Sequence, residues 1–239
     1  MHKIKLFIFD MDGLLIETGR LAYRAYLKSA EKYDYEITHN VYYYLTGQKE
    51  DAIRLGMEEL YGADVPYNEW RDAMNQFKNE IYAEEKRVYK KNGAVEILEF
   101  AKENQLVIAL ASSNHQEKIA EFLKVEGLTD YFDVIISGDE VSSGKPNPEI
   151  FLAACEKTDI SPENALVFED SAAGIEAAKR AGILSILVED NITDLPTRKG
   201  HYPLLKDLSF VREKPAPADF QFFDLHHAKN FLAKKELYL

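Results

Sequence analysis

The sequence predicts an α/β protein in which a mostly parallel sheet is covered by helices on both faces, with a helical domain inserted after the first strand. Three observations predict it. Short apolar runs recur along the chain, at Ile4–Phe9, Leu106–Ala111, Asp133–Ile136, Ala165–Phe168, Ile183–Val188 and Asp219–Phe223, each of strand length. Outside residues 17–88, helical patterns separate these runs, and strands that alternate with helices imply crossover connections and parallel pairing. The stretch from Glu17 to Val88 carries helical stripes and no convincing strand.

Within the insertion, Ile53, Met57 and Leu60 share one helical face, and Trp70, Ala73, Met74, Phe77 and Ile81 share another. Eleven of the fourteen tyrosines fall between Tyr23 and Tyr89, a concentration expected to pack the core of a small helical domain, with one or two facing a ligand. Beyond it, Ala94, Ile97, Leu98 and Ala101 form a stripe, as do Ile119, Phe122 and Leu123, then Ile150, Phe151 and Ala154. Ser161-Pro162-Glu163 has the form of a cap followed by proline in a first turn, and Gly127 and Gly182 stand where left-handed helix exits are expected. The segment from Asn191 to Ala218 holds four prolines and little periodicity, so it is expected as a long surface connection before a last strand and a helix near Leu225–Leu237. The expected domains are 1–16 with 89–239 as the core and 17–88 as the helical insertion.

Composition excludes several classes. The chain has 239 residues, 46% hydrophobic and 29% charged, and a formal net charge of −12. That charge argues against nucleic acid, whose phosphates must be met by Lys and Arg, and against docking on anionic lipid. The lone Cys155 excludes an internal disulfide and a thiolate zinc cluster, and its helical neighbours make it a buried hydrophobe. No apolar stretch approaches membrane-spanning length, and a reducing, cytoplasmic setting is expected.

The chemistry is carried by the residues just past the end of each strand, because in an open parallel sheet ligands bind beyond the carboxyl ends of the strands. Strand one ends in Asp10-Met-Asp12-Gly13, two carboxylates whose close approach calls for a cation or a shared proton, and a glycine that lets the backbone come near a ligand. After the second run come Ser112, Ser113 and Asn114, short donors suited to phosphate oxygens. After Ala165–Phe168 come Glu169 and Asp170, and Lys145 lies in a loop stiffened by Pro146 and Pro148. Acids, hydroxyls and one lysine delivered to one rim support phosphoryl transfer through a covalent acyl phosphate, assisted by a hard divalent cation. Competing readings stay beside it: Lys145 as a structural partner of Asp170, Ser113 and Asn114 as caps of the following helix, and His115 as a solvated helix-start residue. His226-His227 point in different directions on a helix and suit no metal site. Lys86, Arg87, Lys90 and Lys91 are expected on a solvated face at the junction of insertion and core.

Phe9-Asp10-Met-Asp12-Gly13, Ala111-Ser112-Ser113-Asn114, Gly144-Lys145-Pro146 and Phe168-Glu169-Asp170-Ser171-Ala-Ala-Gly174 together resemble the four motifs of the haloacid dehalogenase-like hydrolases. The resemblance covers essentially the whole chain. It is closest to the branch with a helical cap after the first motif, which contains sugar-phosphate phosphatases and β-phosphoglucomutase. It implies a Rossmann-like, three-layer αβα core with an inserted cap, and a Mg²⁺-dependent phosphatase of a small phosphorylated metabolite, with a β-phosphoglucomutase-type isomerase as the alternative. By the same resemblance Asp10 is the nucleophile, Asp12 the general acid and base, and Ser112 and Lys145 hold the transferring phosphate, with Gly13, Ser113 and Asn114 beside the substrate. Asp10, Asp12 through its backbone carbonyl, and Asp170 would bind the metal, with Glu169 as an adjacent ligand or an orienting group. A monomer is favoured.

Two departures from the mutase pattern favour the phosphatase. Ala22 stands where that enzyme carries a proton-shuttling histidine, and Glu50, next to Lys49, stands near the place of its phosphate-gripping arginine. Arg20 either contacts substrate or pairs with a surface acid. A haloalkanoate dehalogenase has no need of Asp12 or of Mg²⁺, and a phosphorylatable receiver module is about half this length and lacks the inserted helices.

Overall fold

The computed structural model describes residues 3–46, 50–208 and 217–235. Six strands run parallel in the order β3-β2-β1-β4-β5-β6: β1 (Leu6–Phe9), β2 (Val107–Ala111), β3 (Val134–Ile136), β4 (Ala165–Glu169), β5 (Leu184–Val188) and β6 (Phe220–Phe222). All six expected runs are strands. Their apolar character follows from burial on both faces, which helices α5 (Ala94–Glu103), α6 (Gln116–Glu126), α7 (Glu149–Thr158), α8 (Ala172–Arg180) and α9 (Leu225–Lys235) accompany as crossover or terminal elements. On one face Leu6, Ile8, Ala109, Ala111 and Val167 pack with Ile150, Phe151 and Ala154 of α7 and Ala177 and Ala178 of α8. Alternation sends Phe7, Phe9 and Phe168 to the other face, where Phe9 and Phe168 stack at 4.5 Å.

Residues 236 and 237, expected to continue α9, lie outside the described residues. Ser161-Pro162-Glu163 opens a 3-10 turn at Pro162–Asn164. Gly127 ends α6 at φ +66°, as expected of a left-handed exit. No helix among the described residues is long and apolar enough to cross a membrane.

The chain divides into two compact units. The first comprises Met1–Thr18, Arg87–Asp190 and Lys214–Leu239; the second comprises Gly19–Lys86 and Asn191–Glu213. The helices α1 (Thr18–Tyr33), α2 (His39–Leu45), α3 (Glu50–Tyr61) and α4 (Tyr67–Glu85) build the second unit around the fully buried Trp70. Trp70 stacks on Tyr35 at 4.1 Å and meets Tyr61 and Tyr202 edge-on, both at 5.5 Å. The tyrosine-rich stretch is therefore largely core packing.

The segment after Asn191, expected as a long surface connection, is mostly exposed in its described part, yet it also packs into the helical unit. Its described part is a strap bound into the helical unit, with Ile192 and Leu208 buried among the tyrosines. Residues 209–216 lie outside the described residues. Tyr35 bridges Tyr202 and Ile37 bridges Arg198, while Tyr23 donates its hydroxyl proton to Pro196 O at 2.9 Å. Aperiodic, proline-rich chain hides this role, because backbone bonds and a few anchors hold it instead of a periodic apolar face.

Candidate active site

The sheet order explains why distant segments meet. Strand β1 lies between β2 and β4, and Phe9 is opposite both Leu110 and Phe168. The next residues, Asp10, Ala111 and Glu169, thus leave the carboxyl edge at one level, at the point where the chain turns to opposite sides of β1. Asp10 N donates to Phe168 O at 3.0 Å. Gly13 sits at φ +75°, and a Cβ built on it would lie 2.2 Å from Asp170 Oδ2. A bare glycine lets Asp170 approach the Asp10–Asp12 turn.

Lys145 is the centre of the charge arrangement. Its side chain is 7% exposed, and its ammonium pairs with Asp10 Oδ1 and, at 2.6 Å, with Glu169 Oε1, while donating to Ala111 O at 3.2 Å. Burial and the neighbouring charges of Glu169 and Asp12 push Asp10 up to about 7 against the opposing pull of Lys145. Burial alone would lower the Lys145 ammonium, but Asp10 and Glu169 hold it above its ordinary range. Asp170 is raised well above the usual carboxylate range by burial and then by Glu169, Asp10 and Asp190.

Ser112 is fully buried, and its hydroxyl accepts from Asn114 N at 3.2 Å and Asn114 Nδ2 at 3.3 Å. Asn114 Nδ2 also donates to Asp12 Oδ2. Asn114 consequently orients Asp12, and helix α6 is capped differently: Gln116 N donates to Asp139 Oδ2 at 2.8 Å. Ser113 is exposed and makes no side-chain hydrogen bond to Asp10, Asp12, Lys145 or Asp170 among the described residues. His115 is exposed and pairs with Asp139.

Glu169, expected as an adjacent metal ligand or an orienting group, is held by several hydrogen bonds. Its Oε1 faces Lys145, and its Oε2 accepts from Asp170 N and Ser171 N, both at 3.0 Å, and from Ser171 Oγ at 2.8 Å. Both oxygens are thus engaged, one with Lys145 and the other with the turn into α8. Of the cationic stretch expected on a solvated face, Lys86, Arg87 and Lys90 are exposed as expected, and Lys91 is the exception. Arg87 and the Val88 and Tyr89 amides bind the Glu126 carboxylate, and Lys91, 11% exposed, pairs with Asp190 at 2.6 Å and Glu17 at 3.2 Å. Asp190 and Lys91 border the cluster and escape sequence reasoning, since charges spaced 99 positions apart leave no local pattern. Arg20 forms a two-pronged ion pair with Asp194 of the strap, at 2.6 and 2.7 Å. Glu50 binds Arg71 and Tyr67, and Lys49 lies outside the described residues.

The donor set fits Mg²⁺. Among the described residues no three His, Cys, Asp or Glu side chains form a ready cage. Burial and neighbouring acids push both Asp10 and Asp170 toward protonation, and a hard cation with oxygen ligands would relieve that. Mg²⁺ characteristically uses one or two carboxylates and fills its remaining positions with water and phosphate oxygens.

Comparison with known proteins gives this geometry its relatives. A model of the haloacid dehalogenase-like hydrolases matches residues 7–188. The chain is 41% identical over 182 residues to the phosphorylated carbohydrates phosphatase of Thermotoga maritima, covering 74% of this chain and 81% of that protein. It is 27% identical over 194 residues to the β-phosphoglucomutase of Bacillus subtilis, covering 77% and 82%. The crystal structure of a HAD family hydrolase from Deinococcus radiodurans R1, with bound phosphate and sodium, shares the fold at a TM-score of 0.77 and 22% identity, over 99% of this chain and 98% of that one. A family match that runs from β1 to the end of β5 takes in every segment that meets around Asp10, and the chain belongs to the haloacid dehalogenase-like hydrolases.

Proposed function

We propose that the protein is a Mg²⁺-dependent phosphatase that hydrolyses a small phosphorylated metabolite, a sugar phosphate or similar monoester, through a phospho-aspartate on Asp10. The observation that carries this reading is the buried Lys145 ammonium shared between Asp10 and Glu169 at the carboxyl edge of the sheet. The similarity to a phosphatase of phosphorylated carbohydrates supports the substrate class.

In this reading Asp10 attacks phosphorus, and the phosphate's ester bond breaks as the carboxylate–phosphorus bond forms. Lys145 stabilises charge on the equatorial oxygens, and the buried Ser112 hydroxyl and neighbouring amides complete their binding. Asp12, oriented by Asn114, gives its proton to the leaving alcohol and then takes one from the water that attacks the acyl phosphate. Asp10, Asp170 and the Asp12 carbonyl would hold Mg²⁺, which offsets repulsion between the attacking carboxylate and the phosphate. Glu169 contributes by holding Lys145 in place.

Ala22 packs against the apolar cluster of the helical unit and has no proton to shuttle, and Glu50 meets Arg71 with the wrong sign for a second phosphate. Both disfavour a mutase. The test is phosphate release from a panel of sugar phosphates, nucleotides and an aryl phosphate, with Mg²⁺ and with chelator. Mg²⁺-dependent release that disappears in Asp10→Asn is expected. Metal-independent release, or isomerisation of β-glucose 1-phosphate without net phosphate, would overturn the reading.

A further inference from the structure

The loop that carries Lys145 is held by bonds rather than by packing. Between the 3-10 turn at Gly138–Glu140 and α7, none of residues 141–148 is buried, and a Cβ built on Gly144 would meet nothing within 4 Å. The Lys145 side chain nevertheless points inward, its Nζ 5.0 Å from the centre of the Phe151 ring. The Glu149 carboxylate supplies the missing constraint. Ser142 N donates to Glu149 Oε1 at 2.7 Å, and Ser143 N donates to Glu149 Oε2 at 3.0 Å. Both oxygens of one acid thus hold two successive amides just before Lys145. Glu149 opens α7, whose Ile150 and Phe151 are buried, so the acid passes the position of a packed helix to a loop without packing of its own. Beyond Lys145, Asn147 N donates to Gly144 O at 3.0 Å and Arg180 Nη1 to Pro146 O at 3.3 Å. Asn147 Oδ1 accepts from Glu149 N at 3.0 Å, a cap on α7 that does not involve the carboxylate.

We propose that Glu149 is a positioning residue whose carboxylate, by clamping the Ser142 and Ser143 amides to α7, sets the place of the Lys145 ammonium at the transferring phosphoryl group. The proposal rests on the phosphatase reading. In the resting site Asp10, Glu169 and Ala111 O hold the tip of Lys145. During transfer Asp10 is taken up by its bond to phosphorus, that anchor weakens, and a flexible four-carbon stem then depends on where its backbone is fixed. Backbone amides bonded to an ionised carboxylate are the stronger kind of hydrogen bond, which suits Glu149 to fixing it. A misplacement of about 1 Å near reacting atoms costs on the order of 10²-fold in rate. An acid in a first helical turn also stabilises the helix, a role that would move the melting temperature and not the rate of folded protein.

Three variants of the full chain separate these roles: Glu149→Ala loses both bonds, Glu149→Gln keeps one acceptor, and Asn147→Ala loses the α7 cap but keeps the clamp. Each is assayed in MgCl₂ by turnover of p-nitrophenyl phosphate and by calorimetric titration with orthovanadate, a mimic of the phosphoryl group in flight. In Glu149→Ala, kcat should fall on the order of 10²-fold with KM little changed, the signature of an interaction made in the transition state. Orthovanadate affinity should fall with it. Glu149→Gln should lie between wild type and Glu149→Ala, and Asn147→Ala should melt earlier while keeping the wild-type kcat and orthovanadate affinity. Unchanged kcat and orthovanadate affinity in folded Glu149→Ala, or an equal loss in Asn147→Ala, would overturn the proposal and leave the phosphatase reading standing. Where Glu149→Ala fails to fold, Glu149→Gln decides on the same two readouts. A wild-type protein that neither hydrolyses p-nitrophenyl phosphate nor binds orthovanadate would overturn both.

Discussion

Gly174→Ala separates the orientation of Lys145 from the chemistry of Asp10. A Cβ on Gly174 would sit 1.9 Å from both Cδ and Oε1 of Glu169, where ordinary contact begins at 3.4 Å, so the carboxylate must retreat by about 1.5 Å (3.4 minus 1.9). That displacement breaks or stretches its bonds to Lys145, Asp170 N, Ser171 N and Ser171 Oγ, now 2.6–3.0 Å long. Losing three such bonds costs about 3–4 kcal/mol at roughly 1–1.3 kcal/mol each. Alanine in a helix returns about 1 kcal/mol. The net loss of about 2–3 kcal/mol corresponds to a Tm about 4–12 °C lower for a chain of this size. Displacing the partner of Lys145 should also lower kcat on the order of 10²-fold with modest change in KM, the scale expected of a misplacement near 1 Å. Differential scanning calorimetry and phosphate-release kinetics read the two effects. A variant as stable and as active as wild type would refute the inference that Glu169 is a packed orienting group.

Glu126→Gln should destabilise the core unit by about 2 kcal/mol at neutral pH, through its bonds to Arg87 and the Val88 and Tyr89 amides. Burial opposes ionisation of Glu126, but Arg87 and the two amides hold its carboxyl below the ordinary value of 4.5. A lowered folded-state value means the stabilisation is complete above pH 4.5 and is lost as pH falls through the folded value; denaturant titrations from about pH 3 to 7 should show the gap between wild type and variant closing below 4.5. Trp70→Ala should cost about 3–5 kcal/mol in urea unfolding, and a loss under about 1 kcal/mol would contradict its place at the centre of the tyrosine cluster. Trp70→Phe should cost clearly less than Trp70→Ala, because the indole N–H makes no hydrogen bond among the described residues.

Features that leave a local pattern are legible in the sequence. Six apolar runs mark six strands, and the acids, hydroxyls and lysine after them mark the rim, because strand ends in a parallel sheet are where side chains of this kind can converge. Lys145 and Asp10 are visible in that way. The role of Glu169 stays open between ligand and orienting group at that level, since only coordinates decide which way two carboxylate oxygens face. Ser171, whose hydroxyl caps α8 through Gly174 N and also binds Glu169, belongs to the same hidden level. The strap at 191–208 reads as loose surface chain because its anchors, such as Tyr202 beside Trp70 and Arg198 opposite Ile37, are single residues without a period. Lys91 misleads for a related reason: a lysine among lysines reads as a solvated face until its distant acid partners are seen.

The measurement closest to the central claim is chemical trapping of the covalent intermediate. Protein quenched during turnover of a phosphorylated sugar and reduced with borohydride should carry homoserine at position 10, since hydride reduces an acyl phosphate and spares a free carboxylate. Peptide mass spectrometry locates the change. Homoserine at position 10 in wild type, and none in protein quenched without substrate, is the predicted result. Active turnover with an unmodified Asp10, or with the reduced residue at position 12 or 170, would contradict the account.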